Sequence, residues 1–126
     1  MWPSVLYRDA ETARRFLTAV LGFTETMTVR GEDGTTIEHA ELLWPEGGGV
    51  MYGTRGTSHG GSEEGGAGTL YVVTADPDAV YRRAVEAGAT ITDKPYDTDY
   101  GSRNVGIADP EGHVWIFGTY AGAPAP

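Results

Sequence analysis

Apolar residues recur along the chain in two rhythms. Residues 10–21 carry Ala13, Phe16, Leu17, Val20 and Leu21 at helical spacing, with Arg14 and Arg15 off that stripe. Asp9 stands where an N-cap belongs and Gly22 where a helix stops. Residues 76–88 repeat the arrangement: Asp76-Pro77 opens, Val80, Tyr81, Ala84 and Val85 form the stripe, and Gly88 closes. Elsewhere the apolar positions are β-branched, aromatic and bounded by turn residues. They predict strands over 2–7, 23–29, 35–43 and 49–53, then over 69–74, 89–93, 102–108 and 114–117, with a loop over 94–101.

These elements fall into two copies of one pattern. Trp44-Pro45-Glu46-Gly47 leads to Met51-Tyr52-Gly53-Thr54, and Asp109-Pro110-Glu111-Gly112 leads to Ile116-Phe117-Gly118-Thr119. In each, proline presets a turn, glycine supplies its positive-φ position, and an apolar strand follows. The repeat predicts an α+β chain of two tandem βαβββ modules, 1–54 and 69–120, in one domain spanning 1–126. The Gly/Ser-rich stretch 55–68 reads as a connector and 121–126 as a frayed tail. Each helix has one apolar stripe and covers one face of its sheet, leaving the other faces to meet each other, a partner chain or a ligand.

Strand alternation says which residues share that open face. Trp2, Ser4 and Leu6 fall together, with Met51 from the fourth strand; Thr69, Tyr71 and Val73 fall with Val114, Ile116 and Gly118. Val50, Tyr52, Trp115 and Phe117 turn to the helices. The open faces are therefore expected to build an apolar, aromatic cavity from Trp2, Leu6, Met51, Tyr71, Val73 and Ile116, fit for a flat organic ligand. His39 and Glu41, two apart on one strand, share a face as an acid–base pair or two ligands of a metal. His113 follows a turn and is expected to point to solvent. His59 lies in the connector. Tyr100 and Arg103 enter the seventh strand; Arg103 is open to pairing with an anionic ligand group or with Asp97 or Asp99.

Composition narrows the function. A chain with no cysteine has no thiolate nucleophile, no thiolate metal site and no disulfide framework. A net charge of −9 argues against nucleic acid and favours capture of a cationic compound. No apolar run has the length of a membrane span, and the first residues lack the features of a signal peptide, so a cytoplasmic protein is expected.

Taken in order, Tyr7-Arg8-Asp9, Val20-Leu21-Gly22-Phe23, Ala87-Gly88-Ala89, Tyr100-Gly101-Ser102-Arg103 and Asp109-Pro110-Glu111-Gly112-His113 resemble the vicinal oxygen chelate superfamily over nearly the whole chain. That superfamily includes glyoxalase I, bleomycin-resistance proteins, extradiol dioxygenases and fosfomycin-resistance enzymes. The resemblance implies concave mixed sheets with helices on their outer faces, and a homodimer around a cavity whose mouth the Tyr100–Arg103 segment helps to line. It also implies four metal-ligand positions, which fall here on Trp2, Met51, Thr69 and Ile116. The superfamily's metalloenzymes need His, Gln or Glu at most of them, because a hard divalent ion takes oxygen or nitrogen donors. The expectation is thus a bleomycin-resistance-like protein that sequesters a basic or aromatic small molecule with no metal or other cofactor. The alternative is a glyoxalase- or dioxygenase-like enzyme with a displaced metal on His39, Glu41 and His113.

Overall fold

The computed structural model describes residues 2–56 and 68–125. They form two compact units, one up to Ala67 and one from Gly68. His59 and most of the 55–68 stretch lie outside the described residues.

The first unit runs β1 (Ser4–Tyr7), α1 (Ala10–Arg15), β2 (Thr24–Arg30), β3 (Ile37–Leu43) and β4 (Gly49–Thr54). Its sheet has the order β1-β4-β3-β2, with β1 parallel to β4 and the other pairs antiparallel. The second unit runs β5 (Thr69–Val73), α2 (Pro77–Glu86), β6 (Thr90–Asp97), β7 (Arg103–Ala108) and β8 (Val114–Gly118), in the matching order β5-β8-β7-β6. The α+β class and the tandem βαβββ order are those the periodicity predicts.

Both helices start as their caps dictate. The Asp9 carboxylate accepts from the Thr12 N–H at 3.1 Å, and Asp76 does the same for Ala79 at 3.1 Å. The first helix does not stay α-helical to residue 21. From Phe16 to Val20 it widens into a π-helical turn, with the Leu21 N–H donating to the Phe16 carbonyl five residues back. Gly22, at φ 93°, then breaks it.

The helices cover one face of each sheet, and there the core lies. Tyr7, Leu17, Leu21, Ile37, Ala40, Leu42, Val50 and Tyr52 are buried in the first unit; Val80, Ala84, Val105, Ile107, Trp115 and Phe117 are buried in the second. Each large apolar side chain so buried contributes about 1.5–3 kcal/mol. Val85, expected on the stripe of α2, is half exposed, because the buried side of the helix runs through Pro77, Val80 and Ala84.

The other correction concerns β6. The chain does not leave the sheet at residue 93; it continues as a strand through Pro95 to Asp97. This is an edge strand paired only with β7, and its register shifts twice. An edge tolerates both a proline and bulges.

Candidate functional site

Burial alternates along β1 and β4 in the first unit and along β5 and β8 in the second, leaving one face of these strands open, whereas β7 is buried on both faces from Asn104 to Ile107. In the first unit Val5 and Tyr7, and Val50 and Tyr52, are buried, whereas Ser4, Leu6 and Met51 are not. The register sets the open face in rows. Ser4 lies opposite Met51, Met51 opposite Glu41, and Glu41 opposite Met27; in the next row His39 lies opposite Val29. Met27, Val29 and Leu43 are exposed. The Trp2 ring lies over Gly49: a Cβ there would meet Trp2 Cη2 at 2.9 Å.

The two polar side chains singled out on this face meet. His39 Nε2 and Glu41 Oε2 are 2.8 Å apart, with about a third of each side chain accessible. They project from one strand two residues apart, which places them side by side.

The helix side of the same sheet is held by internal ion pairs. Arg14 contacts Glu25 through Nη2 at 2.7 Å and Nε at 3.0 Å, and reaches Glu11 at 3.3 Å; Arg30 pairs with Glu11 at 3.0 Å. The Arg14 guanidinium, together with the Thr28 hydroxyl, holds the Glu25 carboxyl below the ordinary glutamate range. Burial pushes the Tyr52 phenol up to about 12. A shallow polar cleft of about 160 Å³, lined by Arg8, Asp9, Thr35, Thr36 and Thr54 among others, also opens on this side, away from His39 and Glu41.

In the second unit Thr69, Tyr71 and Val73 are exposed on β5, with Tyr71 opposite Ile116 on β8. Trp115 and Phe117 are buried on the other face. Residues not anticipated from the sequence join Tyr71 here. Its hydroxyl donates to the Tyr120 carbonyl at 2.7 Å and lies 3.5 Å from Ser102 Oγ. Ser102 Oγ donates to Asn104 Oδ1 at 2.6 Å and accepts from the Tyr120 N–H at 3.2 Å. The Tyr100 ring packs edge-on against Tyr120, centroids 5.6 Å apart. Asn104 lies opposite Gly118; a Cβ on Gly118 would run into Asn104 Oδ1 and the Tyr71 hydroxyl. Alternation could have placed Asn104 on this face. The contact with Tyr120, far along the chain, left no local signal.

Two expected side chains are placed differently. Arg103 does not join the open face. It shares the side of Val105 and Ile107, and its guanidinium grips Asp78 of α2 at 2.8 and 3.1 Å and Asp97 at 3.1 Å. These carboxylates raise its basicity, and it in turn holds the Asp78 carboxyl below the usual range. Of the two carboxylates that the sequence offered, Asp97 is thus a partner and Asp99 is not.

His113 does not point to solvent. It is buried, and its Nδ1 accepts from the Gly68 N–H at 3.1 Å. The turn before it is closed by Asp109, whose Oδ1 accepts from the N–H groups of Glu111 and His113, both at 3.0 Å. Its Oδ2 accepts from Trp115 Nε1 at 3.1 Å.

The donor chemistry at the four expected metal positions does not fit a hard divalent ion. The Trp2 indole N–H only donates, Ile116 has no heteroatom, Met51 offers a soft thioether, and Thr69 is a weak ligand. Elsewhere His39 and Glu41 supply two donors, and among the described residues no group of three or more His, Cys, Asp or Glu side chains is placed to hold a metal.

Comparisons with known proteins agree with this architecture. TioX from Micromonospora sp. ML1 superposes with a TM-score of 0.80 at 32% identity, over 94% of this chain and 95% of that one. A Mycobacterium bovis protein described only as uncharacterized is 32% identical, over 92% of this chain and 80% of its own length. The anthracycline biosynthesis protein DauV of Streptomyces sp. (strain C5) is 33% identical over 88% of this chain, which spans 38% of DauV. Residues 2–117 match the family described as Glyoxalase/Bleomycin resistance protein/Dioxygenase superfamily, and the chain belongs to that superfamily.

Proposed function

We propose that the protein holds a planar aromatic compound bearing a basic group, non-covalently and without a metal. What supports this reading is that the positions which the resemblance assigns to metal ligands carry Trp2, Met51, Thr69 and Ile116, none of them buried. Around them Leu6, Met27, Val29 and Leu43 in one unit, and Tyr71, Val73, Tyr96 and Tyr100 in the other, offer apolar and aromatic surface. Such surface suits stacking and dispersion contact. The acidic balance of the chain favours a cationic ligand. The name of DauV brings one compound class to hand: anthracyclines are flat polycycles that carry an amino sugar. The proposal includes a cytoplasmic homodimer.

The test is calorimetric titration of the full chain with a panel of anthracyclines and other basic polycyclic aromatics. Saturable binding in chelator-treated buffer is expected. Absence of binding across the panel would discard the reading.

A second reading draws on the His39–Glu41 contact: a glyoxalase- or dioxygenase-like enzyme with a displaced metal on that pair. It requires stoichiometric Ni²⁺, Zn²⁺, Mn²⁺ or Fe²⁺ in protein purified without an affinity tag, lost in His39→Ala. Protein free of metal, with no thermal shift on its addition, would remove this reading.

A further inference from the structure

We infer that Glu41 is the anchor for the ammonium group of the bound compound and that His39 is its positioning residue, an inference that rests on the ligand-holding role proposed above. Glu41 stands in the middle of the first unit's open face, with Met51 on one side and Met27 on the other. It is therefore a carboxylate set among thioethers and aliphatic side chains, with only 27% of its side chain accessible. A charge in such surroundings interacts with an opposite charge more strongly than one in open water.

The carboxylate is held but not used up. His39 Nε2 fixes Oε2 at 2.8 Å, while Oε1 accepts no hydrogen bond among the described residues, and no Lys or Arg among them pairs with Glu41. Arg14 of α1 and Arg30 of β2 are committed on the opposite side of the sheet, to Glu25 and Glu11. An incoming primary ammonium can donate to Oε1 without displacing an existing ion pair. The methionines beside it are soft, unbranched surfaces that fit flat rings of varied outline. Charge and contact surface thus lie next to each other, as a cationic polycycle requires, and a carboxylate already fixed by His39 loses little freedom on binding.

Daunorubicin, whose sugar carries one primary amine, and N-acetyldaunorubicin, in which that amine is neutral, separate the anchor from the apolar surface. Both are titrated into the full chain, wild type and variants. Wild type is expected to bind daunorubicin at least tenfold more tightly, the scale of one charge-assisted contact. Glu41→Gln should remove that preference, bringing the two compounds to the same affinity. His39→Ala should reduce the preference. His39→Gln, whose amide N–H can still reach Oε2, should restore it, which a merely structural role for His39 would not do. Equal wild-type affinity for the two compounds overturns the anchor while the ligand-holding role stands. So does an unaltered preference in Glu41→Gln. If neither compound binds, the anchor falls together with an anthracycline ligand.

Discussion

The two open faces descend from one pattern and have parted in chemistry. On the first, the polar groups are a carboxylate and an imidazole joined to each other and ringed by Met27, Val29 and Met51. On the second, they are a phenol, a hydroxyl and an amide that satisfy one another and the Tyr120 backbone. The first face keeps a charge available to a ligand. The second spends its polarity on fastening the chain that follows β8. A duplicated scaffold conserves the side that packs under its helix, where volume is fixed. The open side is free to diverge, so the two halves can take different tasks in one molecule.

The same contrast runs through the two turns. Asp109 closes the second with three accepted hydrogen bonds, whereas Trp44 occupies the matching place in the first and packs its ring on Phe23, centroids 5.0 Å apart. Backbone hydrogen bonds close both turns, and a buried carboxylate braces one where an aromatic contact flanks the other. The largest effect is therefore expected from Asp109→Ala, which strands two backbone donors and the Trp115 indole. A loss of about 2–4 kcal/mol should appear in urea unfolding. A loss below about 1 kcal/mol would mean the turn closes without its carboxylate.

Next in size is Gly118→Ala. The new methyl meets Asn104 Oδ1 and the Tyr71 hydroxyl, so about 1–3 kcal/mol of stability should be lost. Faster amide exchange at Tyr120 should accompany it, since its N–H is held by Ser102. Unchanged exchange there would separate the second face from the segment it is said to fasten.

The smallest effect concerns the ion pairs on the helix side of the first unit. Glu25 has its folded pKa lowered, so its stabilisation is fully present above the ordinary value of 4.5 and is lost as pH falls through the lower folded value. Glu25→Gln should flatten the acid limb of a stability–pH curve and cost less than about 1 kcal/mol at neutral pH, in keeping with its partial exposure. An acid limb identical to wild type would remove Glu25 from the account.

The fold was legible because its signals are local. Strand alternation separated Val50 and Tyr52 from Met51, and Trp115 and Phe117 from Ile116, and a period of two admits no other arrangement once one face is packed. Helix ends were written in Asp9, Gly22, Asp76 and Gly88. The meeting of His39 and Glu41 followed from the same alternation. What escaped was set by distant partners. Asp78 takes Arg103 from across the unit, and Tyr120 returns to Tyr71 and Ser102. His113 is drawn inward by the Gly68 N–H. The end of β6, residues 94–97, passed for a loop because Pro95 reads as a breaker, and an edge position forgives it.

The placement of Trp2 makes the molecule its own optical gauge. Its ring lies across Gly49 on the open face and is more than a third exposed, whereas Trp44 and Trp115, the other two indoles in the chain, are buried. Quencher dissolved in the buffer reaches one fluorophore and spares two. A compound settling on the first unit's open face darkens or shields that one emitter against a steady background, so occupancy can be followed in the unlabelled protein.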